Sequence, residues 1–224
     1  MVQPAPTDTP DPVDRASRGA TGPGRPKDLA KRAAILEAAK ALFGREGFVG
    51  VSMDRIAAEA GVSKLTVYSH FGDKESLFSE TVRILCEEML PDEFFQVQAD
   101  GTLRGQLRHI AEGFFKLVVS DAAISTHRIM ITPGQADQAL RQIFWKAGPQ
   151  RTHDAFAAFL RAGVEKGQLQ IDDCDCAAKQ FFTLLKGELY GRMMCGVCEK
   201  PSSEEMQAHL DATVEMFLRA YATR

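Results

Sequence analysis

The chain has 224 residues, with 27 Lys and Arg against 30 Asp and Glu, and its formal net charge is −3. Hydrophobic residues make up 45% and charged residues 25%, which is ordinary globular composition and excludes a histone-like binder saturated with positive charge. No uncharged apolar run approaches the roughly 18 to 20 residues that span a bilayer, and the acidic, proline-containing start is unlike a secretory signal. We therefore expect a cytoplasmic protein, long enough for one large or two small domains.

The first 24 residues differ in composition from the rest. Six of the ten prolines fall within the first 26 residues, where large apolar residues are scarce. Such a segment buries too little surface to offset its ordering entropy, so we predict a disordered tail over 1–24. We expect one domain over 25–77 and a second over 78–224. Counted by these three segments the charge is −1, +2 and −4, so a mildly basic section precedes an acidic one.

Beyond residue 27, apolar residues recur every three or four positions, which predicts helices divided by Gly and Pro. Ser52, Ser63 and Asp73 each stand where a helix N-cap is expected. Gly148 and Pro149 are expected to separate two helices. The predicted helices cover about 27–43, 53–60, 64–70, 74–90, 103–118, 124–131, 136–147, 151–166, 176–194 and 202–221. No alternating β-branched run is present, so the predicted fold class is all-α.

Two of these helices, joined by the turn at 60–63, have the spacing of a helix-turn-helix. The second helix would present short or flat polar groups that suit base edges, a thymine methyl group or phosphate oxygens. Arg25 and Lys27 lie on either side of Pro26 at the start of the first helix, where a basic arm could reach an adjacent minor groove. The residues expected to bind DNA are Arg25, Lys27, Ser52, Ser63, Lys64, Leu65, Thr66, Tyr68, His70 and Lys74.

Residues 52–78 carry three motifs at fixed spacing: Ile-Ala-x-x-Ala-Gly-Val-Ser, Thr-x-Tyr-x-His-Phe and Lys-Glu-x-Leu-Phe. Together they resemble the TetR family of bacterial transcriptional regulators, in which the position of Tyr68 contacts phosphate. Leu65 is a departure, because the family usually has a small residue there. The resemblance implies a three-helix DNA-binding domain, followed by a domain of about six helices that binds a small ligand and dimerises.

Later segments resemble the C-terminal domains of AefR-type members of that family, which are often linked to efflux or quorum-related control. These segments are 127–149, 172–173 and 181–187. Eleven of the 14 Phe and the single Trp follow residue 77, which favours an aromatic-lined cavity. For any single aromatic residue, ordinary core packing is the competing interpretation. The expected ligand-binding residues are Phe114, Phe115, His127, Met130, Phe144, Trp145 and Phe181.

The final two predicted helices carry apolar faces that indicate either core packing or a dimer interface. In the TetR family, which the sequence resembles, the last two helices of each subunit pair with the same helices of a second subunit in a two-fold bundle. A dimer would also match two half-sites of palindromic DNA. The residues expected at the interface are Phe182, Leu185, Leu189, Leu210, Val214 and Phe217.

The five cysteines allow other interpretations. Cys174 and Cys176 form one close pair, and Cys195 and Cys198 form a Cys-x-x-Cys pair, a spacing used in metal binding and thiol exchange. About 20 helical residues separate the pairs, so they would lie roughly 30 Å apart and form no single four-cysteine site within a chain. A redox or metal-sensing regulator remains one alternative, and a thiol oxidoreductase is another.

The sequence thus predicts a regulator rather than an enzyme, with no cofactor or metal. It would be a homodimeric repressor that binds palindromic double-stranded DNA, and a small apolar or aromatic effector would release it.

Overall fold

The structure is a computed structural model that describes Met1 and residues 24–96 and 101–223, with side chains from Asp28 onward. Its elements in these ranges are helices, apart from one isolated bridge between Leu169 and Ala222. The predicted all-α class is confirmed. The tail predicted over 1–24 lies almost entirely outside the described residues. None of the described helices is both long and apolar enough to cross a membrane.

The first helices form the helix-turn-helix unit. They are α1 (Gly24–Gly50), α2 (Met53–Glu59) and α3 (Lys64–Phe71). The predicted caps are confirmed, because Ser52 Oγ accepts from the Arg55 amide and Ser63 Oγ from the Thr66 amide. Helix α1 continues past Gly44, where the sequence predicted its end, and leaves helical geometry at Gly47 with φ 72°.

Helix α4 (Lys74–Met89), capped by Asp73, leads into a 3₁₀ turn at Asp92–Phe95. It runs through residue 77, where the sequence predicted the domain boundary, and that boundary stays a prediction. Six further helices follow within the described ranges: α5 (Leu103–Val118), α6 (Asp121–Ile131), α7 (Gln138–Trp145), α8 (Arg151–Glu165), α9 (Cys174–Met194) and α10 (Ser203–Tyr221).

The predicted break at Gly148 and Pro149 is wrong. A π-helical turn at Lys146–Gln150 joins α7 directly to α8. Proline has no amide hydrogen to continue an α-helical ladder, and a wider turn tolerates that loss. The Gly148 carbonyl accepts from the Arg151 amide and also from Thr152 Oγ1 at 3.2 Å.

A single apolar core extends from Ile35 in α1 to Phe217 in α10. Helix α1 packs against both α4 and α6. The contact with α6 is close, because a Cβ on Gly47 would lie 2.7 Å from Ile129 Cδ1. The position of the helix-turn-helix unit therefore depends on α4 and α6 together.

Helix α9 bends at Gly187, where φ is 46° and ψ is −151°. Close to the bend, His209 Nε2 of α10 lies 2.8 Å from the Leu185 carbonyl oxygen. A Cβ on Gly187 would come within 2.8 Å of the His209 ring. The bend is thus built into the packing of α9 on α10, and it immediately follows Lys186.

Candidate DNA-binding surface and ligand cavity

The outer face of α3 presents a mixed apolar and polar surface. The side chain of Leu65 is 78% exposed and that of Tyr68 is 40% exposed. Ser63 Oγ lies 2.8 Å from Thr66 Oγ1, which orients both hydroxyls at the start of the helix. Ser69, which the sequence analysis did not select, is exposed on the same helix. Its hydroxyl donates to the Thr66 carbonyl at 2.8 Å, and it occupies an unspecified position of the motif, so no sequence signal marked it.

Lys64 is exposed at the beginning of α3 and pairs with Asp54 of α2 at 2.8 Å. The hydrogen bond to Asp54 raises the pKa of the lysine, so it is charged at neutral pH. An ion pair exposed to solvent in this way contributes little to stability and exchanges readily with other partners. The ammonium group is therefore available to a phosphate.

His70 and Lys74 make contacts inside the chain instead of projecting from it. His70 Nε2 lies 3.1 Å from Asp28 Oδ1 on α1. Lys74 Nζ donates to the Val51 carbonyl at 2.7 Å and lies 4.2 Å from the centre of the Phe48 ring. Burial lowers the pKa of Lys74. Both side chains hold the helix-turn-helix unit together, so a role in DNA contact for them stays a prediction.

The other predicted DNA-binding residues divide into two groups. Ser52 and Ser63 use their hydroxyl oxygens as helix caps. The side chains of Arg25 and Lys27 lie outside the described part of the structure, so the predicted basic arm stays a prediction.

A mostly apolar cavity of about 60 Å³ lies among α4 to α9. Helices α4 and α6, which both pack on α1, contribute to its walls. The lining residues are Val82, Leu85 and Cys86 of α4; Phe114, Leu117 and Val118 of α5; Ala123, Thr126 and His127 of α6; Phe144 of α7; Gly148 and Pro149 of the π-helical turn; Thr152 and His153 of α8; and Lys186 of α9. The π-helical turn packs closely on α4, since a Cβ on Gly148 would lie 3.1 Å from Val82 Cγ1.

The polar lining of the cavity is dominated by three basic side chains, His127, His153 and Lys186. Burial lowers the pKa of each. His127 Nδ1 lies 2.8 Å from the Ala123 carbonyl of its own helix. Lys186 Nζ lies 5.5 Å from the centre of the Tyr190 ring. Burial also raises the pKa of the Cys86 thiol to about 11, so that group is neutral.

The predicted ligand-binding residues lie in three kinds of place. Phe114, His127 and Phe144 line the cavity. Phe115, Met130 and Phe181 are buried in the core, and Trp145 is 49% exposed on the surface. The sequence analysis did not select Lys186 or His153 as ligand-binding residues. A lysine at the end of an apolar run, followed by a helix-bending glycine, was the available signal for Lys186.

The six residues predicted at a dimer interface are all buried within one chain: Phe182, Leu185, Leu189, Leu210, Val214 and Phe217. They pack where α9 and α10 meet α5 and α8. Three- and four-residue spacing identifies the buried face of a helix but not which neighbour covers it. In the described parts of α9 and α10, Leu184 and Met216 are large apolar side chains that stay exposed.

The cysteines are unpaired thiols. Cys174 is buried at the start of α9, Cys176 and Cys195 are exposed, and Cys198 is half-buried. In the described ranges, no group of three or more His, Cys, Asp or Glu side chains is arranged to hold a metal ion.

Comparison with known proteins identifies the family to which this chain belongs. Residues 35–81 match the description "Bacterial regulatory proteins, tetR family", and residues 105–223 match "AefR-like transcriptional repressor, C-terminal domain". The HTH-type transcriptional repressor SCO4008 of Streptomyces coelicolor is 45% identical over 53 residues, which are 24% of this chain and 28% of that protein.

Solved structures match over nearly the whole described chain. A TetR-family protein of Mesorhizobium loti has a TM-score of 0.75 and 28% identity, covering 88% of this chain and 99% of its own. The flavonoid-responsive regulator FrrA has a TM-score of 0.68 and 30% identity, with coverages of 87% and 98%. The chain therefore belongs to the TetR family of bacterial regulatory proteins, with an AefR-like C-terminal domain, and is a DNA-binding transcriptional regulator rather than an enzyme.

Proposed function

We propose that the protein is a ligand-responsive repressor. As a homodimer it binds a palindromic operator through α3 of each subunit, and a small aromatic effector entering the cavity releases it. FrrA, a structural neighbour of similar length, is described as flavonoid-responsive, which supports an aromatic effector. The genes controlled would then handle the effector, as an efflux or related operon does.

One observation carries this proposal: the cavity is walled by both helices on which α1 rests. Val82, Leu85 and Cys86 come from α4, and Ala123, Thr126 and His127 from α6. A molecule between α4 and α6 therefore acts on the support of the helix-turn-helix unit without touching DNA. It shifts the population toward a conformer in which the two α3 helices no longer match the operator half-sites.

The small size of the cavity supports the proposal that effector binding changes the structure. At about 60 Å³ it is smaller than the roughly 150 Å³ apolar cavity that is known to take benzene. An aromatic molecule can enter only if the walls separate. Binding is then coupled to movement of α4 or α6, which is what release of DNA requires.

On the DNA side, the proposed contacts are the exposed residues Lys64, Leu65 and Tyr68 and the half-buried Thr66. Lys64 would exchange Asp54 for a phosphate, and Leu65 would meet a thymine methyl group. On the dimer side, the exposed Leu184 and Met216 are the proposed apolar contacts between copies of α9 and α10, and the six buried residues would support that face from within.

The DNA-binding part is tested by selecting bound duplexes from a random pool with the full chain, then measuring affinity by fluorescence anisotropy. We expect a palindromic consensus. We also expect Thr66→Ala combined with Tyr68→Ala to weaken binding at least tenfold without lowering the melting temperature. The matched control, Gln138→Ala with Gln142→Ala on the exposed face of α7, should bind as the parent does. Unchanged affinity in the first variant would place the contact surface elsewhere.

The effector part is tested with Ala123→Leu, which adds three carbons to a buried cavity wall. We expect this variant to bind the operator normally but to resist release by aromatic compounds that release the parent. Ala158→Leu, on the exposed side of α8, is the control. Normal release from Ala123→Leu would contradict the assignment of the cavity.

The same assay separates the cysteine-sensing alternative from this proposal. Cys195→Ser combined with Cys198→Ser should leave effector release unchanged if the cavity is the input. Loss of release in that variant would favour the thiols instead.

A further inference from the structure

The basic side chains of the cavity lack an acidic partner in the part of the chain that the structure describes. Burial alone accounts for the lowered pKa of Lys186, with no carboxylate contributing. For His127 and His153, burial is the main cause and the charge of Lys186 lowers the pKa further. Asp154 acts weakly on His153 in the opposite direction, and it is exposed and accepts from the Gln150 amide at 2.8 Å.

A partly buried ammonium without a counter-charge is unfavourable, because it has lost part of its water and gained little in return. The group that Lys186 does approach, the ring of Tyr190, is 5.5 Å away and is a weak substitute. An oxygen acceptor on a ligand would supply the missing partner inside the cavity.

The state of His127 narrows the chemistry of that acceptor. A carbonyl oxygen can only accept a hydrogen bond, so the contact with Ala123 assigns the ring hydrogen to Nδ1. The neutral ring is then left with Nε2 as an acceptor. The cavity therefore combines a strong donor, Lys186, with an acceptor, His127. A hydroxyl group satisfies both at once, whereas a carboxylate satisfies the lysine alone and opposes a lone pair of Nε2.

We propose that the ligand is an aromatic compound bearing a phenolic hydroxyl, whose oxygen accepts from Lys186 and whose hydrogen is donated to His127 Nε2. The inference rests on the proposed function and specifies the class of its effector. The aromatic body lies against the apolar walls formed by Phe114, Leu117 and Phe144.

The test compares three probes that share one flat ring system: 2-naphthol, 2-methoxynaphthalene and 2-naphthoate. Affinities for the full chain are measured by isothermal titration calorimetry. We expect 2-naphthol to bind at least tenfold more tightly than its methyl ether, the scale of one hydrogen bond to a charged group. We also expect it to bind more tightly than the carboxylate.

Lys186→Met should abolish the preference for 2-naphthol over the ether while leaving the affinity for the ether within about threefold. Lys179→Met, an exposed lysine on the same helix, should keep the full preference. The comparison of probes on the parent protein needs no variant, so it decides the matter even if Lys186→Met does not fold.

Equal affinity of the parent for 2-naphthol and its ether would overturn the inference, as would a preference that survives Lys186→Met. In either case, release of operator DNA by both probes would leave the proposed function standing. Tighter binding of 2-naphthoate would identify a plain anion site and also overturn the phenol assignment. If none of the probes binds, the assignment is wrong, and the operator-release assay with Ala123→Leu decides the proposed function separately.

Discussion

Replacing Lys74 by Met distinguishes an internal role for this lysine from the DNA contact that the sequence predicts. The substitution keeps an apolar stem but removes the donor to the Val51 carbonyl at 2.7 Å and the cation above the Phe48 ring. A hydrogen bond from a charged donor contributes about 1.5 to 3 kcal/mol, and a partly buried cation–π contact about 0.5 to 2 kcal/mol.

Two effects oppose these losses. Burial already disfavours the ammonium, as its lowered pKa indicates, and a cation at the N-terminal end of α4 is unfavourable for the helix dipole. We therefore expect Lys74→Met to lower the free energy of unfolding by about 1 to 2 kcal/mol. For a chain of this size that is a fall of roughly 2 to 8 °C in melting temperature.

Thermal melting and the salt dependence of operator binding check this together. Lys74→Met should melt earlier, and its slope of log affinity against log salt should match that of the parent. The exposed Lys64→Met is the matched control: its melting should be unchanged and its slope should fall by about one. The opposite result for Lys74→Met, unchanged melting with a slope lower by about one, would show that it binds phosphate and that the internal role is wrong.

Two further substitutions test the supports of α1. Gly47→Ala should lower the free energy of unfolding by about 1 to 3 kcal/mol, measured by denaturant unfolding. The cause is that φ is 72° at Gly47 and the new Cβ would meet Ile129 Cδ1 at 2.7 Å. Unaltered stability would contradict the close approach of α1 and α6. Glu80 joins α4 to α1 through Arg32, and its hydrogen bonds to Arg83 and then to Arg32 lower its pKa from 4.5 to about 2. Glu80→Gln should therefore cost about 1 to 2 kcal/mol at pH 7, allowing for partial exposure, and the difference should vanish as the pH falls from about 4.5 to 2. A difference that is independent of pH would exclude an ionic role.

Local features of this fold could be predicted from the sequence because their causes are local. Ser52, Ser63 and Asp73 each cap the helix that follows, and each side chain reaches an amide only three residues away. The motifs that define α2 and α3 likewise depend on contacts within a short segment. The all-α class followed from apolar periodicity alone.

Features that depend on how distant helices meet could not be predicted. Nothing near His70 indicates that it faces Asp28, 42 positions earlier, because that contact depends on the packing of α3 against α1. The location of Lys186 in the cavity could not be predicted either, because a lysine within an apolar helix usually extends to solvent. Its place in the cavity lining is settled by how α9 packs against α5, α6 and α8, and α9 bends at the next residue, Gly187.

Under the proposed function, the arrangement of supports around α1 would link the cavity to the distant DNA-binding surface. Arg32 and Lys40 tie α1 to Glu80 and Glu88 of α4, whereas α6 holds it by apolar contact near Gly47. A ligand that separates α4 from α6 cannot leave both contacts unchanged, and the ionic ties favour movement of α1 with α4. From Cys86 to the start of α4 is about 18 Å, so a tilt of about 5° displaces that end by about 1.5 Å. In the proposed dimer the two displacements would add to about 3 Å, which is as long as a hydrogen bond and would misalign both α3 helices with their proposed half-sites.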